Sequence, residues 1–347
     1  MVSSTQKKWR LFRAWSSRHP VWCTWQVTYR CDFRCGFCDY WKEVQGAEDE
    51  QTVEMFVEGS LKLAKLGSLL ISLGGGEPFL RQDICDVVRA VALYHFPFVT
   101  TNGYHVTPEL ARDVFRAGLW GASVSIDYAD AAKHDKRRGI KGAYERAVRA
   151  LEWFSEARTY PWQRVNLMCV LLHDNLDQIE PLLRLAAERD AYFMIQPYGQ
   201  RKTGSGRFVH GRDSVSRTLV DLHGKYQNFL SNRHFLSQFD QALNGGVPGC
   251  KAGTAFFNID SAGDIAICVE ERGGAVANLY RDPSAAIVQK LRAAARQNKC
   301  ADCWYNCRGE VEMLYHPVAI FKSLPTLFFD TGRPSDKARS GLPVFGQ

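Results

Sequence analysis

Six short apolar runs, each followed by an amphipathic stretch, constrain the fold of the first two hundred residues more than any other feature. The runs fall at 21–28, 69–73, 98–101, 122–126, 164–170 and 191–196. Helical patterns lie between them at about 52–66, 83–94, 107–118, 142–157 and 175–189. Thr107-Pro108-Glu109 places a capping hydroxyl before a proline at the first helical position. Asp174 or Asn175 caps the last helix of the series. Regular alternation of this kind predicts an α/β fold of parallel strands joined by right-handed crossovers. Six units are too few for a closed eightfold barrel. An open, partial (β/α)6 TIM-like barrel and a flat doubly wound sheet both fit the pattern.

The chain has 347 residues, 46% hydrophobic and 23% charged, enough to build a core without disulfides. At about 150 residues per domain, one large unit and a smaller one are expected. Eleven cysteines then need another explanation. Cys23, Cys85 and Cys169 sit singly in apolar patterns and read as packing residues. The other eight form two groups. Three of them, Cys31, Cys35 and Cys38, follow the first strand as Cys-x3-Cys-x2-Cys. A cube of four irons and four sulfides usually takes four cysteines. A loop offering three leaves one iron for another ligand, and it lies at a strand's C-terminal end, where barrels place their chemistry. A zinc knuckle is the competing reading, although zinc sites usually pair ligands and close at four.

The run from Tyr29 to Tyr40, with Phe37 before the last cysteine, resembles the signature of the radical S-adenosylmethionine enzymes. The resemblance implies the open partial barrel, a [4Fe-4S] cluster on Cys31, Cys35 and Cys38, and S-adenosylmethionine chelating the fourth iron. It also implies reductive cleavage to a 5′-deoxyadenosyl radical that abstracts hydrogen from a substrate carbon. Gly74-Gly75-Gly76-Glu77-Pro78, after the second strand, looks like the Gly-Gly-Glu turn that holds the methionyl amino group. Gly75, Gly76 and Glu77 take that role by resemblance. Thr100-Thr101-Asn102-Gly103 resembles the family's Thr-Asn-Gly turn, which puts Asn102 near the site. Period-two alternation sets Ser123, Ser125 and Asp127 on one face of the fourth strand, expected to point inward. Ser125 is the candidate for the ribose, and Asp127 for ribose or substrate. Asn166 and Gln196 are further inward polar groups. Phe37 packs against adenine or within the core.

The second group is Cys250, Cys268, Cys300, Cys303 and Cys307. Cys250-x12-Gly263-x4-Cys268 frames a hairpin with glycine in its turn, which brings its end cysteines back together. With Cys300-x2-Cys303 this looks like a twitch domain, the shortened relative of SPASM. The longer SPASM run is missing. Five cysteines cannot close two cubes, so one auxiliary [4Fe-4S] cluster is expected on Cys250, Cys268, Cys300 and Cys303, with Cys307 as spare or replacement. A structural zinc site is the alternative. A four-cysteine cube leaves no iron for substrate, which suits electron transfer or support.

These features divide the chain into a basic, aromatic segment (1–20), the barrel (21–200), a linker with helices (201–247), the auxiliary unit (248–312) and an apolar tail (313–347). Trp9, Phe12 and Trp15 among Lys7, Lys8, Arg10 and Arg13 would form an amphipathic helix, packed on the barrel or lying on an anionic membrane surface. The tail's Ala319-Ile-Phe and Leu327-Phe-Phe329 are expected to cover the barrel mouth or the auxiliary unit. No secretory h-region follows the N-terminal basic residues, and a cytoplasmic enzyme is expected. A net charge of +7 is modest, and no recognisable nucleic-acid-binding motif accompanies it, so no nucleic acid is expected as partner. The expected partners are a small-molecule substrate and a reductant such as flavodoxin or ferredoxin. A peptide or a lipid intermediate is the alternative substrate. A non-enzymatic iron–sulfur or zinc protein is the remaining class. Acid and base residues are not assigned.

Overall fold

The computed structural model describes residues 2–211, 214–271, 273–315 and 334–335. Helix α1 (Ser4–Ser16) leads into strand β1 (Trp22–Thr28). The barrel continues through α2 (Val53–Leu63), β2 (Leu70–Gly75), α3 (Ile84–Ala92), β3 (Phe96–Thr101), α4 (Pro108–Arg116) and β4 (Gly121–Ser125). After α5 (Ala131–Arg138) and α6 (Ala143–Ala157) come β5 (Arg164–Leu171), α7 (Ile179–Glu188) and β6 (Tyr192–Pro197). Helices α8 (Val215–Lys225), α9 (Arg233–Ser237) and α10 (Phe239–Asn244) follow. The chain then forms β7 (Phe256–Ile259), β8 (Asp264–Ala266), β9 (Ala277–Asn278), α11 (Ser284–Gln297) and α12 (Asn306–Glu312).

All six expected barrel strands form and pair in parallel, each with its neighbour in sequence. The order is β6-β5-β4-β3-β2-β1-β7-β8-β9 in one sheet. Sequential order is that of a partial barrel, whereas a doubly wound sheet reverses direction at a switch point. β1 is left without a barrel strand on its outer side, and β7 pairs with it in parallel, Trp22 opposite Phe256 and Trp25 opposite Ile259. The hairpin expected to begin a separate unit at 248 therefore continues the barrel sheet.

The core lies between the sheet and its helices. Cys23 and Cys169 are fully buried within it, as expected of packing residues, and Cys85 is half-buried against it. α1 is capped by Ser3, whose hydroxyl accepts from the Gln6 N–H. Its Leu11 and Ala14 pack with Val21, Leu70 and Phe96 at the start of the barrel strands. Lys7 is buried too and donates to the Ala92 carbonyl. The helix's apolar stripe thus meets the barrel, while Trp9 stays exposed. Among the described residues no helix is long and apolar enough to cross a membrane. The tail segments at 319–321 and 327–329 lie outside the described residues.

Candidate active site

Inward-facing side chains alternate along every barrel strand, as the pleat requires. Trp22, Thr24 and Gln26 of β1, Ser72 and Gly74 of β2, and Phe98 and Thr100 of β3 line one cavity. Ser123 and Ser125 of β4, Asn166 and Met168 of β5, and Gln196 of β6 complete its walls. The cavity volume is about 480 Å³, within the range of about 300–1,000 Å³ usual for small-molecule sites.

Cys31, Cys35 and Cys38 line the end where the strands finish. Their loop turns tightly, with the Cys38 N–H donating to the Cys35 carbonyl at 3.2 Å. Burial pushes the Cys31 thiol up to about 12 and the Cys35 thiol up to about 11. Bound iron would take the place of those protons. Beside the loop lies a cation that sequence reasoning missed. Arg138 is buried, its guanidinium rests 5.2 Å from the Phe37 ring centroid, and its carbonyl lies 3.7 Å from the Cys35 sulfur. Phe37 is buried against this group and Phe208, and it also lines the cavity.

The glycine turn is shaped by close backbone approach. A Cβ on Gly75 would stand 2.0 Å from the Thr28 carbonyl oxygen, and one on Gly76 2.0 Å from that of Arg30. Gly75 also has φ +118°, which side chains disfavour. Glu77 reaches the cavity, but its carboxylate is held inside the protein. Oε1 accepts from the Phe79 N–H (3.0 Å) and the Thr101 hydroxyl (2.7 Å), and Oε2 from the Asn102 N–H (2.7 Å). Glu77 thereby ties the end of β2 to the Thr-Asn-Gly turn after β3. Burial still raises its carboxyl to about 7.

Ser125 is half-buried at the cavity wall, and the Ser123 hydroxyl accepts from Asn166 Nδ2 at 3.1 Å. The expectation that Asp127 shares this face is corrected. β4 ends at Ser125, so the alternation stops before it. Asp127 is fully buried outside the cavity wall, accepting from the Val170 N–H (2.9 Å) and from Arg138 (2.8 and 2.7 Å). It positions Arg138.

The second cysteine group gathers beyond the hairpin. Cys250 and Cys268 pack where β1, β2 and β3 begin, and Cys307 lines the cavity. Burial raises the Cys303 and Cys307 thiols, and the neighbouring Cys268 and Cys250 sulfurs add to both effects. Cys300, the outer member, accepts from Arg201 Nη1 at 3.4 Å. Lys202 stands between the two groups, over the Tyr40 ring of the first loop and 3.7 Å from Glu270 beyond Cys268.

The residues fit the cofactors their pattern implies. Three thiols face a cavity large enough for a nucleoside, beside a glycine surface that a Cβ would fill. Trp22 Nε1, Gln26 Oε1, Asn166 Oδ1, the Tyr305 hydroxyl and Asn306 Oδ1 are buried on the cavity wall with no partner among the described residues. Such groups require a ligand or water. Among the described residues, no three His, Cys, Asp or Glu side chains converge on a single ion, and a four-iron cube holds its thiolates further apart than one ion does.

Residues 25–186 match the family model of the radical SAM superfamily. The chain is 27% identical over 314 residues to mycofactocin maturase MftC of Mycolicibacterium smegmatis, covering 84% of this chain and 77% of that protein. It is 25% identical over 255 residues to the PqqA peptide cyclase of Rhizobium meliloti, covering 70% and 66%. The structure of Streptococcus suis SuiB bound to the precursor peptide SuiA superposes with a TM-score of 0.65 at 18% identity, covering 86% and 74%, a likeness of fold. With three cysteines at the mouth of a six-stranded partial barrel, residues 25–186 carry a radical SAM domain, and the chain is an enzyme whose cofactors are a [4Fe-4S] cluster and S-adenosylmethionine.

Proposed function

We propose that this enzyme oxidises a peptide substrate, with an auxiliary [4Fe-4S] cluster on the second cysteine group as electron acceptor. The observation that carries the reading is the continuity of the cavity, which reaches from Cys31, Cys35 and Cys38 to Cys307. A substrate held there stands between the two groups, so hydrogen leaves toward one end and an electron toward the other. The small-molecule expectation gives way to a peptide because the PqqA cyclase acts on a peptide and SuiB binds one.

When bound, the reduced cluster and S-adenosylmethionine supply the 5′-deoxyadenosyl radical. The chain's residues hold the reactants and exclude water. Gly75 and Gly76 give the methionyl end a flat backbone surface, and Glu77 fixes that surface to the Asn102 turn. Ser125 and the unpartnered Asn166 and Gln26 oxygens offer polar contacts along the nucleoside and substrate. Cys250, Cys268, Cys303 and either Cys300 or Cys307 would hold the auxiliary cluster.

Anaerobic reconstitution should give about eight irons per chain, two cubes, and 5′-deoxyadenosine with dithionite. Replacing Cys31, Cys35 and Cys38 by alanine should abolish that product and leave about half the iron, if the second group binds independently. Co-expression with a short peptide encoded beside the gene should give a peptide lighter by two hydrogens. Tight zinc binding without nucleoside release, or an unmodified peptide beside active nucleoside release, would refute the respective parts.

A further inference from the structure

Among the described residues, three carboxyls line the cavity. Glu77 is held by three donors, and Glu270 lies 3.7 Å from Lys202. The third, Glu310, lies on α12 three residues after Cys307, so both occupy the same helical face and both reach the cavity. It forms no ion pair among the described residues. Its Oε1 accepts from the Asn232 N–H at 2.9 Å, and the Ser231 hydroxyl, itself fully buried, donates to the carboxylate as well. A carboxylate has about four acceptor positions, so two donors leave room for a substrate hydrogen.

We propose that Glu310 is the catalytic base that takes the proton lost when the substrate radical is oxidised. The inference rests on the oxidative reading above. After hydrogen abstraction the substrate carries one unpaired electron on carbon, next to an atom X that bears hydrogen. Glu310 removes that hydrogen as a proton, and the X–H bonding pair stays on X. Two of these three electrons close a carbon–X double bond. The third would pass to the iron–sulfur cluster that the second cysteine group would hold, reducing it by one electron. The substrate thus loses a hydrogen atom, a proton and an electron, which is two hydrogens overall.

The surroundings suit this role. Burial pushes the Glu310 carboxyl up to about 7, while the Asn232 and Ser231 donors pull the other way. A base titrating there is ionised often enough to act and basic enough to hold the proton. The other titrating side chain from this region of the wall is His223 of α8, which burial and Arg233 hold below the usual imidazole value. It stays neutral near pH 7 and sets no charge on Glu310. Cys307 also stays neutral as a thiol unless iron claims it. Arg308, next on the helix, is turned away to Glu312 and the Val247 and Pro248 carbonyls.

The test uses the reconstituted full chain and the co-expressed peptide. In Glu310→Gln, product formed per 5′-deoxyadenosine should fall about 100-fold, the usual worth of a general base. Glu310→Asp should recover part of that loss. Ser231→Ala keeps the base and removes a donor to its anion, so its product-to-nucleoside ratio should rise only at higher pH than wild type. Infrared difference spectra of wild type against Glu310→Gln should show a neutral-carboxyl band that disappears near pH 7. An unchanged product-to-nucleoside ratio in Glu310→Gln overturns the proposal, and so does a carboxyl band absent at pH 5 or persistent at pH 9. If no peptide is modified, the peptide reading fails by itself, and the infrared arm still decides whether Glu310 exchanges a proton near neutrality.

Discussion

Replacing Asp127 by alanine should destabilise the protein by about 4 kcal/mol. The carboxylate is fully buried and faces a guanidinium whose side chain is 9% exposed. Truncation leaves Arg138 charged and unpaired beside Phe37 and Cys35, which costs about 3–5 kcal/mol in measured buried pairs. It also orphans the Val170 N–H, worth about 1–3 kcal/mol alone, and the two losses overlap because they share one side chain. At an m value of about 3 kcal/mol/M the urea midpoint should fall by roughly 1 M or more. Tryptophan fluorescence under anaerobic conditions reads this. Asp127→Asn keeps an acceptor for Val170 and should lose less. Asp127→Ala combined with Arg138→Met should recover most of the stability, because an apolar replacement removes the buried charge as well. A midpoint shift under about 0.3 M, which is less than 1 kcal/mol, would show that Arg138 does not depend on Asp127.

The glycine surface, the buried lysine and the outer cysteine give further predictions. Gly76→Ala forces a Cβ against the Arg30 and Tyr29 carbonyls, and should cost about 1–3 kcal/mol of stability and at least tenfold in S-adenosylmethionine affinity measured by equilibrium dialysis. Burial holds Lys7 down at about 8 against an unperturbed 10.5. Its folded value lies below its unfolded one, so stability from this group rises between pH 8 and 10.5 and its penalty is fully present below pH 8. Lys7→Met should flatten that rise in urea midpoints measured across the range. Arg201→Ala removes a donor and a charge from Cys300. The auxiliary cluster's reduction potential should fall by tens of millivolts in an EPR-monitored titration, and no fall would place Cys300 off the cluster.

The barrel was legible because its signal is local. Each strand is a short apolar run and each helix an amphipathic one, and boundaries moved by only a few residues. The first cysteine loop was legible for the same reason, its spacing being contiguous. What escaped has a common cause. α5 has no apolar stripe, since its buried side chains are His134 and Arg138. Its ends were nevertheless marked, by Asp130 as cap and by Gly139 at φ +79°. Within the 201–247 linker, α8 stops at Lys225, because the next residue turns extended and Phe229 pairs with Phe193 beside β6. Asp127 was misplaced because period two holds only while a strand lasts. The pairing of β7 with β1 depends on an edge created 234 residues earlier, and no local pattern records it.

That same pairing also sets where the two cysteine groups lie along the barrel sheet. Cys31 follows the end of β1, whereas Cys250 precedes β7 and Cys268 follows β8. β7 runs parallel to β1 from its first residue and β8 returns antiparallel, so the hairpin's cysteines come back toward the end where β1 starts. Cys250 and Cys268 therefore lie toward the start of the strand whose far end leads into Cys31. Gln26 Nε2 bonds Asn258 Oδ1 across this pairing at 2.9 Å, which leaves Gln26 Oε1 buried and unpartnered at the cavity wall. α12 then lays Cys307 and Glu310 along the same cavity. In the proposed oxidation, a hydrogen acceptor, an electron acceptor and a proton acceptor would share this one sheet. A hairpin tethered only by the 201–247 segment would not hold that geometry.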